Sequence, residues 1–348
     1  MASLAALSAW PSTAQPVRAA QALAGEAPVR QTFGSWILVC DNVRVCRAQP
    51  SSSSGSLMIR RDPGPAGQLL VVLDGQEPTL GPSLPDAGTI ALDGEATDRR
   101  LPWRVDHEGE RAQLGGDAAL RFVRAIADGA ALTYRASGET LEVPLAGLKA
   151  ALLAMDDRQG RVGTPTAFTR PGERSLAGVP AAIGLPVVQS APPPSAEPLP
   201  DSFVRQVRRA SGRWLEACTE ERADVDEAYP LSDGEAIAMF ACGTGTHSTS
   251  YVLVRASRTA QPRVQRLILP PVPRPGEELY EEDSYTDVEW DPATSSIHAS
   301  GYACAHTCGE NSRWVFDGRA FVLAEHFVYE SGGAEPLYLY RTEIRPGR

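Results

Sequence analysis

Lysine is almost absent from this sequence, because Lys149 is the only one and the other 32 basic residues are arginine. A genome rich in G and C explains that bias together with the abundant alanine, glycine and proline; selection of arginine for bidentate anion recognition is the alternative. Positive charge is in deficit overall, since 33 basic and 43 acidic residues give a net charge of −10. An acidic chain repels phosphate backbones, so we expect no nucleic-acid binding through a basic surface.

Long apolar runs and familiar catalytic motifs are missing as well. No run of about 18 apolar residues exists, so no transmembrane segment is expected. A Gly-x-Ser-x-Gly nucleophile motif is absent. The stretch Gly243-Thr244-Gly245-Thr246-His247 lacks the Gly-Lys-Ser/Thr end of a phosphate loop and is typical of a β-turn. The sequence therefore names no catalytic residue, no metal ligand and no cofactor, and it favours a protein that is not an enzyme.

The first 30 residues have some features of an export signal. Residues 2–9 form a short, weakly apolar run, and Ser12, Thr13 and Ala14 place small residues before a possible cleavage site. A positively charged start is missing. We interpret this segment as the remnant of a secretory signal whose start lies upstream, and a disordered alanine-rich tail is the alternative.

Six cysteines support export independently: Cys40, Cys46, Cys218, Cys242, Cys304 and Cys308. An even number fits an oxidising compartment, where disulfides persist. Cys40 and Cys46 flank the turn-forming pair Asp41-Asn42, which follows an apolar segment typical of a strand. A disulfide across that turn is the first pairing that the spacing favours.

The length of 348 residues suits two domains or three small ones. Residues 31–163 read as a sandwich-like β domain that ends in a helix at 145–156, whose apolar positions recur every three or four residues. Its strand-like segments, separated by turn residues, lie at 33–40, 57–60, 69–73, 89–92, 120–126 and 131–135.

Residues 164–200 are rich in proline and are interpreted as a semi-rigid linker. A second β-rich domain follows at 201–348. It opens with a short helix capped by Asp201 or Ser202. Asp317-Gly318 between apolar segments predicts a hairpin with a type I′ turn. Further strand-like segments lie at 236–242, 249–256, 288–290, 297–303, 313–316, 319–325 and 337–344.

The stretch from Cys304 to Cys308, which contains His306, is the most reactive-looking part of the chain. Its Cys, His and Cys are potential zinc ligands, with His298 or His326 as the fourth. A redox-active dithiol and a structural disulfide are the alternatives, and the structural disulfide is favoured. A run of acidic residues is a second candidate metal site, because calcium prefers clustered oxygen ligands. The run lacks the residue order of a calcium-binding loop and is interpreted as a solvated loop. Its members are Glu277, Glu278, Glu281, Glu282, Asp283 and Asp287.

An ordered set of motifs resembles an uncharacterised bacterial family of exported proteins, domain-of-unknown-function family 1176. The set opens with Trp36, Cys40-Asp41-Asn42 and Cys46-Arg47-Ala48, and spans the chain from about residue 33 to residue 341. It continues with Val143-Pro144-Leu145-Ala146-Gly147-Leu148, Met155-Asp156-Asp157-Arg158-Gln159-Gly160, Trp290-Asp291-Pro292, Cys308-Gly309 and Trp314-Val315-Phe316-Asp317-Gly318. The first unit also resembles, more weakly, the invasion-associated locus B family of periplasmic proteins.

These resemblances imply a periplasmic or secreted protein of a Gram-negative bacterium, without known catalysis. They imply a binding or accessory role whose partner is an envelope protein or a cell-wall component. An envelope hydrolase is the alternative, which a pocket lined by His247, His298 or His306 would favour. The chain departs from the family where a last cysteine is expected beyond the Asp317-Gly318 hairpin. Cys308 therefore lacks the downstream partner that the family implies and is expected to pair with Cys304. Cys218 and Cys242 are then left as the third pair.

Overall fold

The computed structural model describes residues 23–74, 85–97, 101–106, 111–136, 138–191, 195, 197–218, 225–245, 248–277, 282–303, 308–330 and 335–347. Strands outnumber helices throughout, so the chain is mainly β as the sequence predicts. None of the helices in these ranges is long and apolar enough to cross a membrane.

A seven-stranded antiparallel sheet forms the first part of the fold. In spatial order its strands are β1 (Val29–Phe33), β2 (Trp36–Cys40), β3 (Cys46–Pro50), β4 (Ser56–Arg61), β5 (Leu69–Asp74), β9 (Arg111–Gly115) and β8 (Arg104–Asp106). A second sheet contains β11 (Glu139–Pro144), β10 (Ala131–Ala136), β6 (Pro85–Leu92) and β7 (Glu95–Ala96).

Two helices complete the first core, α1 (Gly116–Ile126) and α2 (Leu148–Arg158). The buried cluster draws side chains from both sheets and both helices, as sandwich-like packing requires. Polar contacts join the layers as well. Trp36 Nε1 donates to the Pro144 carbonyl over 2.9 Å, and the Tyr134 hydroxyl donates to the Asp74 carbonyl over 2.6 Å. A buried indole N–H or phenol O–H needs such a partner.

The C-terminal part contains two five-stranded sheets. The first comprises β13 (Glu227–Pro230), β14 (Glu235–Thr244), β15 (Thr249–Ser257) and β16 (Val264–Arg266), with β17 (Tyr285–Thr286) also paired to β15. The second comprises β18 (Glu289–Asp291), β19 (Ser296–Ala303), β20 (Cys308–Phe316), β21 (Phe321–Tyr329) and β22 (Leu337–Arg341).

These two sheets share a core, in which Met239 and Leu253 from the first sheet meet Ile297 and Trp314 from the second. The opposite face of the first sheet is covered by helix α3 (Asp201–Ala210) and the short helix α4 (Gly212–Leu215). Strands that alternate inward and outward residues can bury apolar side chains on both faces in this way.

The proline-rich stretch 164–200 is packed along part of its length. Phe168 belongs to the first core, and the Ala181 carbonyl accepts a 2.7 Å hydrogen bond from Arg44. A 3-10 turn lies at Leu176–Gly178, and β12 (Val187–Ser190) pairs in parallel with β23 (Glu343–Pro346). Because the stretch contacts both halves of the chain, the division into two domains stays a prediction.

Disulfides join Cys40 to Cys46, the pair that the spacing favoured, and Cys218 to Cys242, the pair that the family resemblance left. Cys308 is disulfide-bonded too, whereas Cys304 lies outside the described residues. Cys40 and Cys46 occupy facing positions of β2 and β3, so their disulfide closes the turn at the end of the hairpin.

One predicted strand is wrong. Residues 120–126 belong to α1, which begins at Gly116. The helix buries Ala119, Phe122, Val123 and Ile126, whose three- and four-residue spacing gives one apolar stripe. The predicted segment began at residue 120 and so excluded Ala119, the first residue of the stripe. Without Ala119 the segment reads as a short apolar run typical of a strand.

The type I′ turn at Asp317-Gly318 is also wrong. Phe316 pairs with Phe321, so four residues form the loop, and Gly318 alone among them has a positive φ. A type I′ turn needs two such residues. Instead, the Asp317 carboxylate accepts the backbone N–H groups of Arg319 and Ala320 at 2.8 Å and fixes the loop.

Two element boundaries and one helix cap differ from the prediction. Helix α2 begins at Leu148 rather than at residue 145, because Gly147 has a φ of +98° and lies against the Phe33 carbonyl, where a Cβ has no room. Helix α3 begins without a side-chain cap from Asp201 or Ser202. The last predicted strand is divided at Thr342 into β22 and β23.

Candidate anion-binding pocket

The cysteine–histidine stretch does not present a metal centre in the part of the chain that the structure describes. Cys304, His306 and also His247 lie outside the described residues. Cys308 is disulfide-bonded, so its thiolate is not available to a zinc ion. Within the described ranges, no three Cys, His, Asp or Glu side chains are grouped as metal ligands would be.

The two histidines proposed as a fourth ligand lie in different surroundings. His298 is in β19 opposite Glu289, and burial together with the charge of Arg313 lowers its pKa. His326 is fully buried in β21. Its Nδ1 lies 2.9 Å from the Ser312 hydroxyl, and its Nε2 lies 3.9 Å from the Glu310 carboxylate. Burial lowers the pKa of His326 to about 4, so the ring is neutral at pH 7.

Ser312, His326 and Glu310 are the residue types of a hydrolytic triad, but there is no room for a substrate beside them. Ser312 and Glu310 line a cavity of only about 50 Å³. A drug-sized ligand needs several hundred cubic ångströms. The buried His326 therefore serves as a hydrogen-bonded core residue.

Three carboxylates of the acidic run contact other parts of the chain in the range that the structure describes. Glu282 pairs with Arg274 at 2.7 Å, and Asp283 pairs with Arg266 at 3.4 Å. The Asp287 carboxylate accepts the Thr249 backbone N–H over 2.8 Å. Glu278 and Glu281 lie outside the described residues. These contacts fit a loop held by ion pairs.

A cavity of about 670 Å³ opens beside the first sheet, and we call it the arginine pocket. Its walls come from the 62–68 turn between β4 and β5, from β8 and β9, from the start of α1 and from the 161–166 turn after α2. Gly67 makes the first wall possible, because a Cβ there would lie 2.0 Å from the Asp62 carbonyl oxygen. Four arginines line the cavity: Arg60, Arg61, Arg104 and Arg161.

Arg61 and Arg161 are the buried members of this set, with 3% and 1% of their surface exposed. Both are anchored on Thr166: Arg61 Nη1 donates to its carbonyl over 2.8 Å, and Arg161 Nη1 donates to its hydroxyl over 3.0 Å. Arg161 Nη2 also donates to the Gly64 carbonyl. The Nε–H of each arginine is buried without an acceptor. A buried donor of this kind costs about 1–3 kcal/mol, and more when it is charged.

One carboxylate faces these two cations. Asp156, which is fully buried at the end of α2, lies 3.8 Å from Arg61 Nη1. Its other oxygen accepts the Phe168 backbone N–H over 2.7 Å. Burial raises the pKa of Asp156 to about 6, and burial followed by the charge of Arg161 lowers the pKa of Arg61 to about 10. Arg61, Arg161 and Asp156 together therefore carry a net positive charge.

The rim of the pocket adds further positive charge. Arg60 is paired with Asp62 at 2.9 Å, whereas Arg104 is exposed and has no ion pair with a described residue. Helix α1 begins at the same rim, and its N-cap Gly115 provides no side-chain acceptor for the first backbone N–H groups. The start of a helix carries a partial positive charge. Exposed Asp117 is the remaining acid in the lining.

The sequence alone did not predict this pocket. Arg61 and Arg161 are far apart in the chain, and nothing near either residue distinguishes it from the other arginines. The arginine bias is the one signal in the sequence, through the alternative that some arginines are kept for anion recognition.

Comparison with known proteins gives a family without a described activity. Residues 30–329 match the family model described as "Protein of unknown function (DUF1176)". Over 320 residues the chain is 27% identical to the "Uncharacterized protein YpfG" of Escherichia coli (strain K12), which covers 86% of this chain and 88% of that protein. No solved structure matches the chain.

Proposed function

Because the chain belongs to the DUF1176 family of proteins of unknown function, we propose a function from its own arginine pocket. The chain is an exported binding protein of the bacterial envelope that holds an anionic group of its ligand in that pocket. It acts without catalysis.

The carrying observation is the pair of buried arginines in the wall of a cavity. Arg61 and Arg161 each retain an Nε–H without an acceptor, and the single buried carboxylate Asp156 balances only one of the two charges. Burying a guanidinium is expensive unless it is paired. An anion bound in the pocket supplies the missing negative charge, and charge-assisted hydrogen bonds to guanidinium groups are strong.

Export is supported by the cysteine chemistry. The disulfides Cys40–Cys46 and Cys218–Cys242, together with the bonded Cys308, are typical of an oxidising compartment. Expression of the full gene in a Gram-negative host, followed by fractionation and thiol counting in denaturant, tests this part. Periplasmic protein without free thiols is expected, and cytoplasmic protein with six free thiols would contradict it.

Binding is tested by isothermal titration calorimetry of the full, oxidised chain with benzoate, inorganic phosphate and phenyl phosphate at constant ionic strength. Saturable binding of at least one of these anions is expected, with loss of affinity in Arg104→Gln at the rim. Arg209→Gln is the matched control. Arg209 is exposed on helix α3, so its substitution removes the same charge at a position away from the pocket. Equal affinities of the two variants would place the bound anion elsewhere.

A further inference from the structure

The charges around the pocket favour a ligand group with more than one negative charge. Arg61 and Arg161 are both buried, with Asp156 as their buried counter-ion. At the rim, Asp62 offsets Arg60 and Asp117 offsets Arg104, so these four arginines exceed the three carboxylates by one charge, and the start of helix α1 adds about half a positive charge. A carboxylate carries one negative charge, whereas a phosphate monoester carries about 1.5 to 2 near pH 7. The dianion therefore matches this charge more closely.

The donors also approach from separate directions. Arg61 lies on strand β4, Arg161 lies in the turn after α2, and the uncapped backbone N–H groups lie at Gly116 and Asp117 of α1. A carboxylate is planar and offers two oxygens. A phosphate monoester is tetrahedral and offers three oxygens as strong acceptors, so it can be contacted by donors that do not share a plane.

The size of the cavity shows that a bare phosphate ion would leave most of it empty. The volume is about 670 Å³, within the range of sites for organic ligands. Apolar groups share the lining with the arginines, among them Pro65, Leu70, Pro102 and Leu120. Such surface gains free energy by contact with an apolar part of a ligand.

We propose that the arginine pocket binds a phosphate monoester that has an apolar organic group, with the phosphate at Arg61, Arg161 and the start of α1. This assignment rests on the proposed anion-binding function and adds the class of ligand to it. The organic group lies against Leu70, Leu120 and the two prolines of the lining.

The test compares three probes on the full, oxidised chain at pH 7.5 and constant ionic strength. Phenyl phosphate contains both parts of the ligand, inorganic phosphate lacks the apolar part, and benzoate replaces the phosphate by a carboxylate. We expect phenyl phosphate to bind about tenfold more tightly than either of the others, as one further strong interaction provides.

Arg161→Lys keeps a positive charge but loses the fork of the guanidinium, and we expect it to weaken phenyl phosphate binding about tenfold. Circular dichroism and thermal unfolding show whether this buried variant is folded. Arg104→Gln, which changes an exposed side chain, tests the pocket if it is not. Arg209→Gln again serves as the control for charge.

The outcomes separate the two proposals. Benzoate binding as tightly as phenyl phosphate, with both weakened by Arg104→Gln, would overturn the phosphate assignment and leave the anion-binding function standing. Equal affinity for inorganic phosphate and phenyl phosphate would overturn the apolar part of the assignment. Absence of saturable binding for all three probes would overturn both proposals.

Discussion

Arg341 Nε donates to the Asp41 carboxylate over 2.8 Å, across 300 positions of the chain. Asp41 is fully buried in the turn that the Cys40–Cys46 disulfide closes, and its second oxygen accepts the backbone N–H groups of Val43 and Val45. Asn42 in the same turn exchanges hydrogen bonds with the backbone of Arg341 at 2.9 and 3.0 Å. The turn thus ties the first sheet to strand β22 of the last one.

Replacement of Arg341 by methionine is expected to lower the free energy of unfolding by about 2–3 kcal/mol. The reason is that the buried Asp41 carboxylate loses its ion pair while it keeps its desolvation cost. Urea unfolding followed by tryptophan fluorescence measures the change. Arg345→Met is the control, because the exposed Arg345–Glu343 pair should contribute nothing measurable. Equal effects of both variants would contradict this role of Asp41.

The two described disulfides should stabilise the chain unequally. Cys40–Cys46 spans 6 positions and Cys218–Cys242 spans 24. Loop-closure entropy gives about 2–3 kcal/mol for the shorter loop and about 3–4 kcal/mol for the longer one. Paired alanine substitutions, each compared with the oxidised wild type in urea unfolding, measure both values. A greater loss from the shorter loop would show that the packing of fully buried Cys40 and Cys46, rather than loop entropy, dominates.

Local patterns were enough to predict much of the fold. The apolar run before Cys40 is strand β2, and the alternation around residue 133 is β10. Helix α1 was missed because its stripe begins at an alanine, which is apolar but weakly so. The parallel pairing of β12 with β23 was beyond prediction, since the two strands lie at opposite ends of the C-terminal half and no local residue specifies the partner.

The candidate site was less predictable than the fold. The histidines and the cysteines near residue 304 have side chains with evident metal-binding and redox chemistry, so the sequence pointed to a site there. Arg161 looks like a surface residue in the sequence, yet it is 1% exposed, and its guanidinium donates to Thr166 in its own turn and to the distant Gly64 carbonyl. Its burial follows from long-range packing, and only burial makes its charge informative.

His326 should make the protein sensitive to acid. Its pKa is about 4 in the folded state because burial disfavours the charged ring, against about 6.5 in the unfolded chain. The unfolded state therefore binds more protons between these values, and the stability present above pH 6.5 is lost as the pH falls towards 4. Relative to wild type, His326→Gln should gain about 3 kcal/mol between pH 7 and pH 4.

Urea unfolding at several pH values gives that difference, and the titration of the His326 ring by NMR checks its cause. The resonance is assigned by its absence in His326→Gln. A midpoint near 6.5 in the folded protein would show that the ring is accessible to water, contrary to its burial beside Ser312.

Asp156 should produce the opposite slope. Burial raises its pKa to about 6 in the folded state, against about 3.8 in the unfolded chain, so the folded state binds more protons between these values. The stability that the neutral carboxyl contributes at low pH is lost as the pH rises through 6. Asp156→Asn lacks this loss, so its free energy of unfolding relative to wild type should rise by about 2–3 kcal/mol from pH 4 to pH 7.5. Urea unfolding measures this rise, with exposed Asp157→Asn as the matched control on the same helix. A flat difference would mean that Asp156 stays ionised throughout this range, because the charges of Arg61 and Arg161 outweigh the effect of its burial.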